Sequence, residues 1–94
     1  PQVRIQILVT VPLTEDVARI KKVLTEISEA AVQSRSDVIA RTPHPTIYLM
    51  KMDKTGLIFQ LTVYSSGFQY NNIIQDYMNV QIVERFRKEG ISIV

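Results

Sequence analysis

The residues of this chain that could do chemistry are few, and their spacing does not bring them together. Its one histidine, His44, stands between Pro43 and Pro45, and its best carboxylate candidate along the chain, Asp37, is seven residues away. A metal centre needs several such ligands converging on one point, so His44 reads as a loop histidine. The absence of cysteine removes disulfides, thiolate metal ligands and a thiol nucleophile. Glu15 and Asp16 form a carboxylate pair, but they sit where a helix should begin, and its positive end favours such charges. Ser65-Ser66-Gly67 precedes a second helix, whose free N–H groups could cradle a phosphate. No Walker-type lysine follows it, and the stretch reads as a connecting loop. We therefore expect no catalytic, cofactor-binding or metal-binding residue and no enzymatic activity.

The elements that would position any site follow from periodicity. Val3, Ile5, Ile7, Val9 and Val11 alternate with Arg4, Gln6, Leu8 and Thr10, the period-two pattern of a strand with one buried face. Pro12 stops this strand, and Thr14 is expected to cap a helix starting near Glu15. At about 100° per residue, Val17, Ile20, Val23, Leu24, Ile27, Ala30 and Ala31 share one side of that helix, opposite Arg19, Lys21, Lys22, Glu26 and Glu29. Ser34 to Asp37 breaks it, and Thr42-Pro43-His44-Pro45 imposes an extended approach to a strand over Thr46 to Met52. Asp53-Lys54-Thr55-Gly56 is a turn, and Leu57, Phe59, Leu61 and Val63 alternate beyond it, which makes a β-hairpin. A helix from Asn71 to Glu89 is closed by Gly90, well placed for a left-handed conformation, and Ile91 to Val94 is the last strand.

This order is βαββαβ, the split βαβ plan. The expected fold is α+β and ferredoxin-like: a four-stranded antiparallel sheet with two helices on one face, forming one domain over residues 1–94. At 94 residues and 46% hydrophobic, the chain has the size and composition of one folded unit. Its formal net charge is only +2, from basic residues scattered between Arg4 and Lys88. With Phe59 on the core face of its strand, the basic-aromatic signature of an RNA-binding sheet is missing, and no nucleic-acid partner is expected. The uncharged stretch from Thr55 to Gln75 is interrupted by Gln60, Thr62, Ser65, Ser66, Gly67, Asn71 and Asn72, so it does not read as a membrane span. A chain that opens on Pro1 and ends on Ile91 to Val94 reads as a fragment of something longer.

Two elements carry more apolar residues than a lone domain needs. In the second helix Ile74, Met78, Ile82 and Phe86 form a core stripe, yet Ile73, Tyr77 and Val80 project toward the side bearing Glu84, Arg87 and Lys88. In the second strand Ile47 and Leu49 take one face and Tyr48, Met50 and Met52 the other, so both faces read as covered. Tyr48, Met50, Met52, Ile73, Tyr77 and Val80 are accordingly the candidate subunit-interface residues. A broad core that buries the second helix more deeply is the competing explanation.

Three segments in this order resemble a known family: the first strand running into Thr14-Glu15-Asp16-Val17, the loop Thr42-Pro43-His44-Pro45 leading into Thr46-Ile47-Tyr48-Leu49, and Phe86-Arg87-Lys88-Glu89-Gly90-Ile91. Together they look like the C-terminal cytoplasmic domain of small-conductance mechanosensitive channels (the MscS family). In that family a proline-phenylalanine-proline run usually follows the glycine-isoleucine step, and this chain stops at Ile93-Val94 where the run would start. The resemblance implies a homo-oligomer of identical subunits, a heptamer in the full-length channel, sitting in the cell membrane and releasing ions and small osmolytes under membrane tension. It implies that this domain is cytoplasmic, supports subunit assembly and forms part of a solute-filtering cage, and that pore and membrane contact belong to other segments. No cofactor is implied. The alternative is a small-molecule-sensing regulatory domain of the same fold. A cation-efflux transporter domain shares the fold too, but normally brings more His and acidic ligands than His44 alone.

Overall fold

The computed structural model describes residues 2–94. Its element order is β1 (Val3–Val11), α1 (Val17–Ser34), β2 (Thr46–Asp53), β3 (Gly56–Ser65), a short 3₁₀ turn (Phe68–Tyr70) and α2 (Asn71–Glu89). The three strands form an antiparallel sheet in the order β1-β3-β2. β3, reached through the hairpin, thus lies between the two strands that α1 connects. Ile5, Ile7, Val9 and Val11 from β1 and Leu57, Phe59, Leu61 and Val63 from β3 are buried on one face. Against them pack Ile20, Val23, Leu24 and Ile27 of α1 and Ile74, Met78, Ile82 and Phe86 of α2. This is the two-layer α+β arrangement expected, with one sheet face covered by helices and the other open.

Local chemistry explains the boundaries. The α1 N-cap is Asp16, not Thr14: its Oδ1 accepts from the backbone N–H of Ala18 (2.9 Å) and Arg19 (3.3 Å). Thr14 lies inside a turn closed by the Glu15 N–H donating to the Pro12 carbonyl at 3.0 Å, so α1 starts two residues later than Glu15. Ser28 and Val32 are buried on α1 while Ala30 is exposed. At the hairpin, Asp53 Oδ1 accepts from the Thr55 N–H at 2.9 Å, an Asx-type turn. Gly56 follows with φ +152°, and a Cβ there would clash with the Val11 carbonyl oxygen. Glycine is required by both the backbone angle and the close passage of β1. Gly90 ends α2 at φ 73° in the left-handed region, its N–H bonded to the last-turn carbonyls.

Two features depart from the sequence reading. β2 carries a bulge: Leu49 pairs with Phe59 and Lys51 with Ile58, leaving Met50 without a partner. Opposed residues of an antiparallel pair share a face, so Tyr48 (opposite Gln60) lies on the open face, whereas Met52 (opposite Leu57) is returned to the helix side. Tyr48, Met50 and Met52 therefore do not form one stripe; the extra residue breaks the alternation. The second feature is the terminal segment. Ile91 is buried and the Val94 N–H donates to the Thr10 carbonyl at 2.8 Å, but residues 91–94 join no ladder, and the sheet has three strands among the described residues. Val38–Ala40 adds a short bridge instead, with the Ala40 N–H bonded to the Tyr64 carbonyl at 2.7 Å and the Ser66 N–H to the Val38 carbonyl at 3.0 Å.

Candidate functional site

A site made of surface begins with which apolar side chains the fold leaves in water. On β2, Tyr48 is 57% exposed, Met50 56% and Met52 74%. On α2, Ile73 is 48% and Val80 43% exposed. These two are seven residues apart, two helical turns, and so lie on the same side of α2 about 10 Å from each other. They face away from the stripe Ile74, Met78, Ile82 and Phe86 that seats α2 on the sheet. Tyr77 differs from them. It is partly buried, packs on the core, and its hydroxyl hydrogen-bonds Ser34 Oγ at 2.7 Å, while the Arg35 guanidinium lies 5.5 Å from its ring centroid. Its ring locks α2 to the end of α1.

The register shows more of the open sheet face than periodicity did. Leu8, 64% exposed, lies opposite Gln60, which lies opposite Tyr48, so one cross-strand row reads Leu8, Gln60, Tyr48. The adjacent row reads Thr10, Ile58, Lys51. Leu8 stands among the polar members of an alternating strand, so periodicity alone does not single it out. Its apolar character in the outward phase was the signal. Phe68, 75% exposed in the turn before α2, is a further apolar residue outside the sequence reading.

The polar side chains are arranged for structure. Arg85 reaches across from α2 to Glu26 of α1 and back to Glu89, 2.9 Å away, and Arg19 donates to the Glu89 carbonyl at 2.6 Å. The Arg85 hydrogen bond holds the Glu89 carboxyl below its ordinary range against a partial loss of hydration, with Arg19 adding to the effect. Thr55 likewise holds Asp53 low by hydrogen bonding, and Arg35 does so for Asp37. Ser65 Oγ donates to the Gly67 carbonyl and accepts from its N–H, and Ser66 Oγ donates to the Val38 carbonyl at 3.4 Å, so both hydroxyls stitch the loop. His44 lines a shallow cavity of about 200 Å³ with Glu29, Val32, Gln33, Arg41 and Pro45. Among the described residues no three of His, Asp and Glu come together as a metal site would require, and no helix is long and apolar enough to cross a membrane.

No curated protein matches the chain. The sequence pattern of one family, described as "Mechanosensitive ion channel MscS, C-terminal", matches residues 5–93, from β1 through α2 and into the terminal segment. With nearly all of the chain inside that match, it belongs to the MscS mechanosensitive channel family, as its C-terminal domain.

Proposed function

We propose that this chain is a single cytoplasmic domain of a tension-gated, homo-oligomeric channel in the cell membrane, and that it serves assembly of the subunits and of a solute-admitting cage, not the pore. In that setting the channel would be a heptamer releasing ions and small osmolytes under membrane tension. The observation that carries the reading, beside the family match, is the pair of apolar patches that the fold does not use: Tyr48 and Met50 on β2, and Ile73 and Val80 on α2, each more than two-fifths exposed. Large apolar side chains set on a flat sheet and on an outward helix face are what subunit contacts use. Met52 and Tyr77 flank these patches, Met52 at the hairpin end and Tyr77 at the α1 junction. The Val94-to-Thr10 hydrogen bond supports a fourth strand along the open edge of β1, beginning at the terminal segment.

The test is assembly. Sedimentation of the 94-residue chain over a concentration series is expected to show reversible self-association that Val80→Asp weakens while circular dichroism is retained. In a channel carrying the domain, the same substitution is expected to lower recovery of the intact oligomer and survival of hypo-osmotic shock. A strictly monomeric chain, together with an unaltered oligomer in the Val80→Asp channel, would sink the proposal.

A further inference from the structure

The two apolar patches lie on opposite sides of a two-layer slab. Leu8 and Tyr48 are on the open sheet face, while Ile73 and Val80 are on the outward face of α2. An isologous contact buries the same patch on both partners, so a two-fold dimer would leave one patch in water. Covering both with one kind of contact requires the sheet face of one copy to meet α2 of the next.

The spacings suit this pairing. Leu8 and Tyr48 lie two strand intervals apart, about 9.6 Å, and Ile73 and Val80 lie seven helical residues apart, about 10.5 Å. In such a pairing Gln60, between the sheet pair, would face Asp76, between the helix pair, and an amide can donate to a carboxylate. A depression of about 360 Å³ beside Val80, lined also by Asp76, Asn79, Val83, Glu84 and Arg87, gives the Tyr48 ring a place to enter.

Charge follows the same direction. The sheet face carries Arg4 and Lys51, and its one carboxylate, Asp53, is held by Thr55 and by Lys51 at 3.7 Å. The α2 face carries Asp76 and Glu84, neither in an ion pair among the described residues, with Arg87 a turn beyond. We infer that the partner of the open sheet face is the α2 face of a second copy of this chain, a head-to-tail contact that propagates around a ring; this rests on the assembly reading above.

The chain has no cysteine, so single thiols report contacts directly. Tyr48→Cys and Val80→Cys, both at exposed positions, are oxidised separately and as an equimolar mixture, with Lys21→Cys on exposed α1 as the control partner for each. The pairing predicts a disulfide-linked dimer in the mixture that is absent from either variant alone, and a ladder of higher species from the double variant. A dimer formed by either single variant alone, or a mixture no more cross-linked than the Lys21→Cys controls, overturns it. Sedimentation of the unsubstituted chain separates the two failures. Association without the mixed cross-link sinks the pairing alone, whereas no association, together with an unaltered oligomer in the Val80→Asp channel, sinks the assembly reading as well.

Discussion

Tyr77 and Val80 are neighbours on α2, and replacing each with Asp should separate folding from assembly. Tyr77 is partly buried against the core, so roughly 100 Å² of its ring leaves water on folding, worth about 2.5 kcal/mol at 25 cal/mol/Å². The Ser34 hydrogen bond adds about 0.5 kcal/mol, and the Arg35 guanidinium over the ring favours the same packing. An aspartate there lies near Arg35, but a surface ion pair recovers little of this. The net expectation for Tyr77→Asp is a loss of about 3 kcal/mol. With a urea m-value of about 1.5 kcal/mol/M, the unfolding midpoint should fall by about 2 M. Val80 is 43% exposed on the outward face, and Val80→Asp should move stability by no more than about 0.5 kcal/mol while weakening association. Urea titration followed by circular dichroism, beside sedimentation, reads both. A Tyr77→Asp chain of near-native stability that no longer associates would refute the assignment of Tyr77 to the fold.

Two further outcomes follow from the backbone and the helix clamp. Gly56→Ala places a methyl group against the Val11 carbonyl at a φ of +152°, so thermal unfolding should show a loss of more than about 1 kcal/mol; an unchanged Tm would mean that the hairpin relaxes freely. Because the Arg85 hydrogen bond holds the folded carboxyl of Glu89 below its ordinary value, its contribution is present above that ordinary value and fades as pH falls through the lower folded one. The Tm gap between the unsubstituted chain and Glu89→Gln should therefore close on going from neutral to acid pH, and a constant gap would refute the clamp.

How much was legible in the sequence depended on whether the deciding interaction was local. The bounds of α2 came through because Gly90 must take the left-handed turn that Ile91 follows into the core. β1 and β3 came through because the alternation over Val3–Val11 and over Leu57–Tyr64, bounded by Pro12 and the Gly56 turn, leaves each strand one core face. The Asp16 cap was missed because both Thr14 and Asp16 can cap, and the turn from Pro12 to Glu15 decides between them. The bulge at Met50 was invisible because only the partner strand determines which residue goes unpaired. That one residue removed Met52 from the stripe assigned to it. Leu8 had been set among polar neighbours until the register placed it across Gln60 from Tyr48.

The α2 helix is where the demands of folding and of assembly can be told apart. Four residues, Ile74, Met78, Ile82 and Phe86, seat it on the sheet, each no more than 3% exposed. Its orientation against α1 is then held by Arg85 on Glu26, by Arg19 on the Glu89 carbonyl and by Tyr77 on Ser34. None of these contacts involves Ile73 or Val80. A helix so anchored would fold equally well with polar residues at both positions, and polar residues there would also favour solubility. Their apolar character adds exposed surface that the domain alone does not need, which is why the outward face of α2, and not the core stripe, is the place to look for the neighbouring subunit.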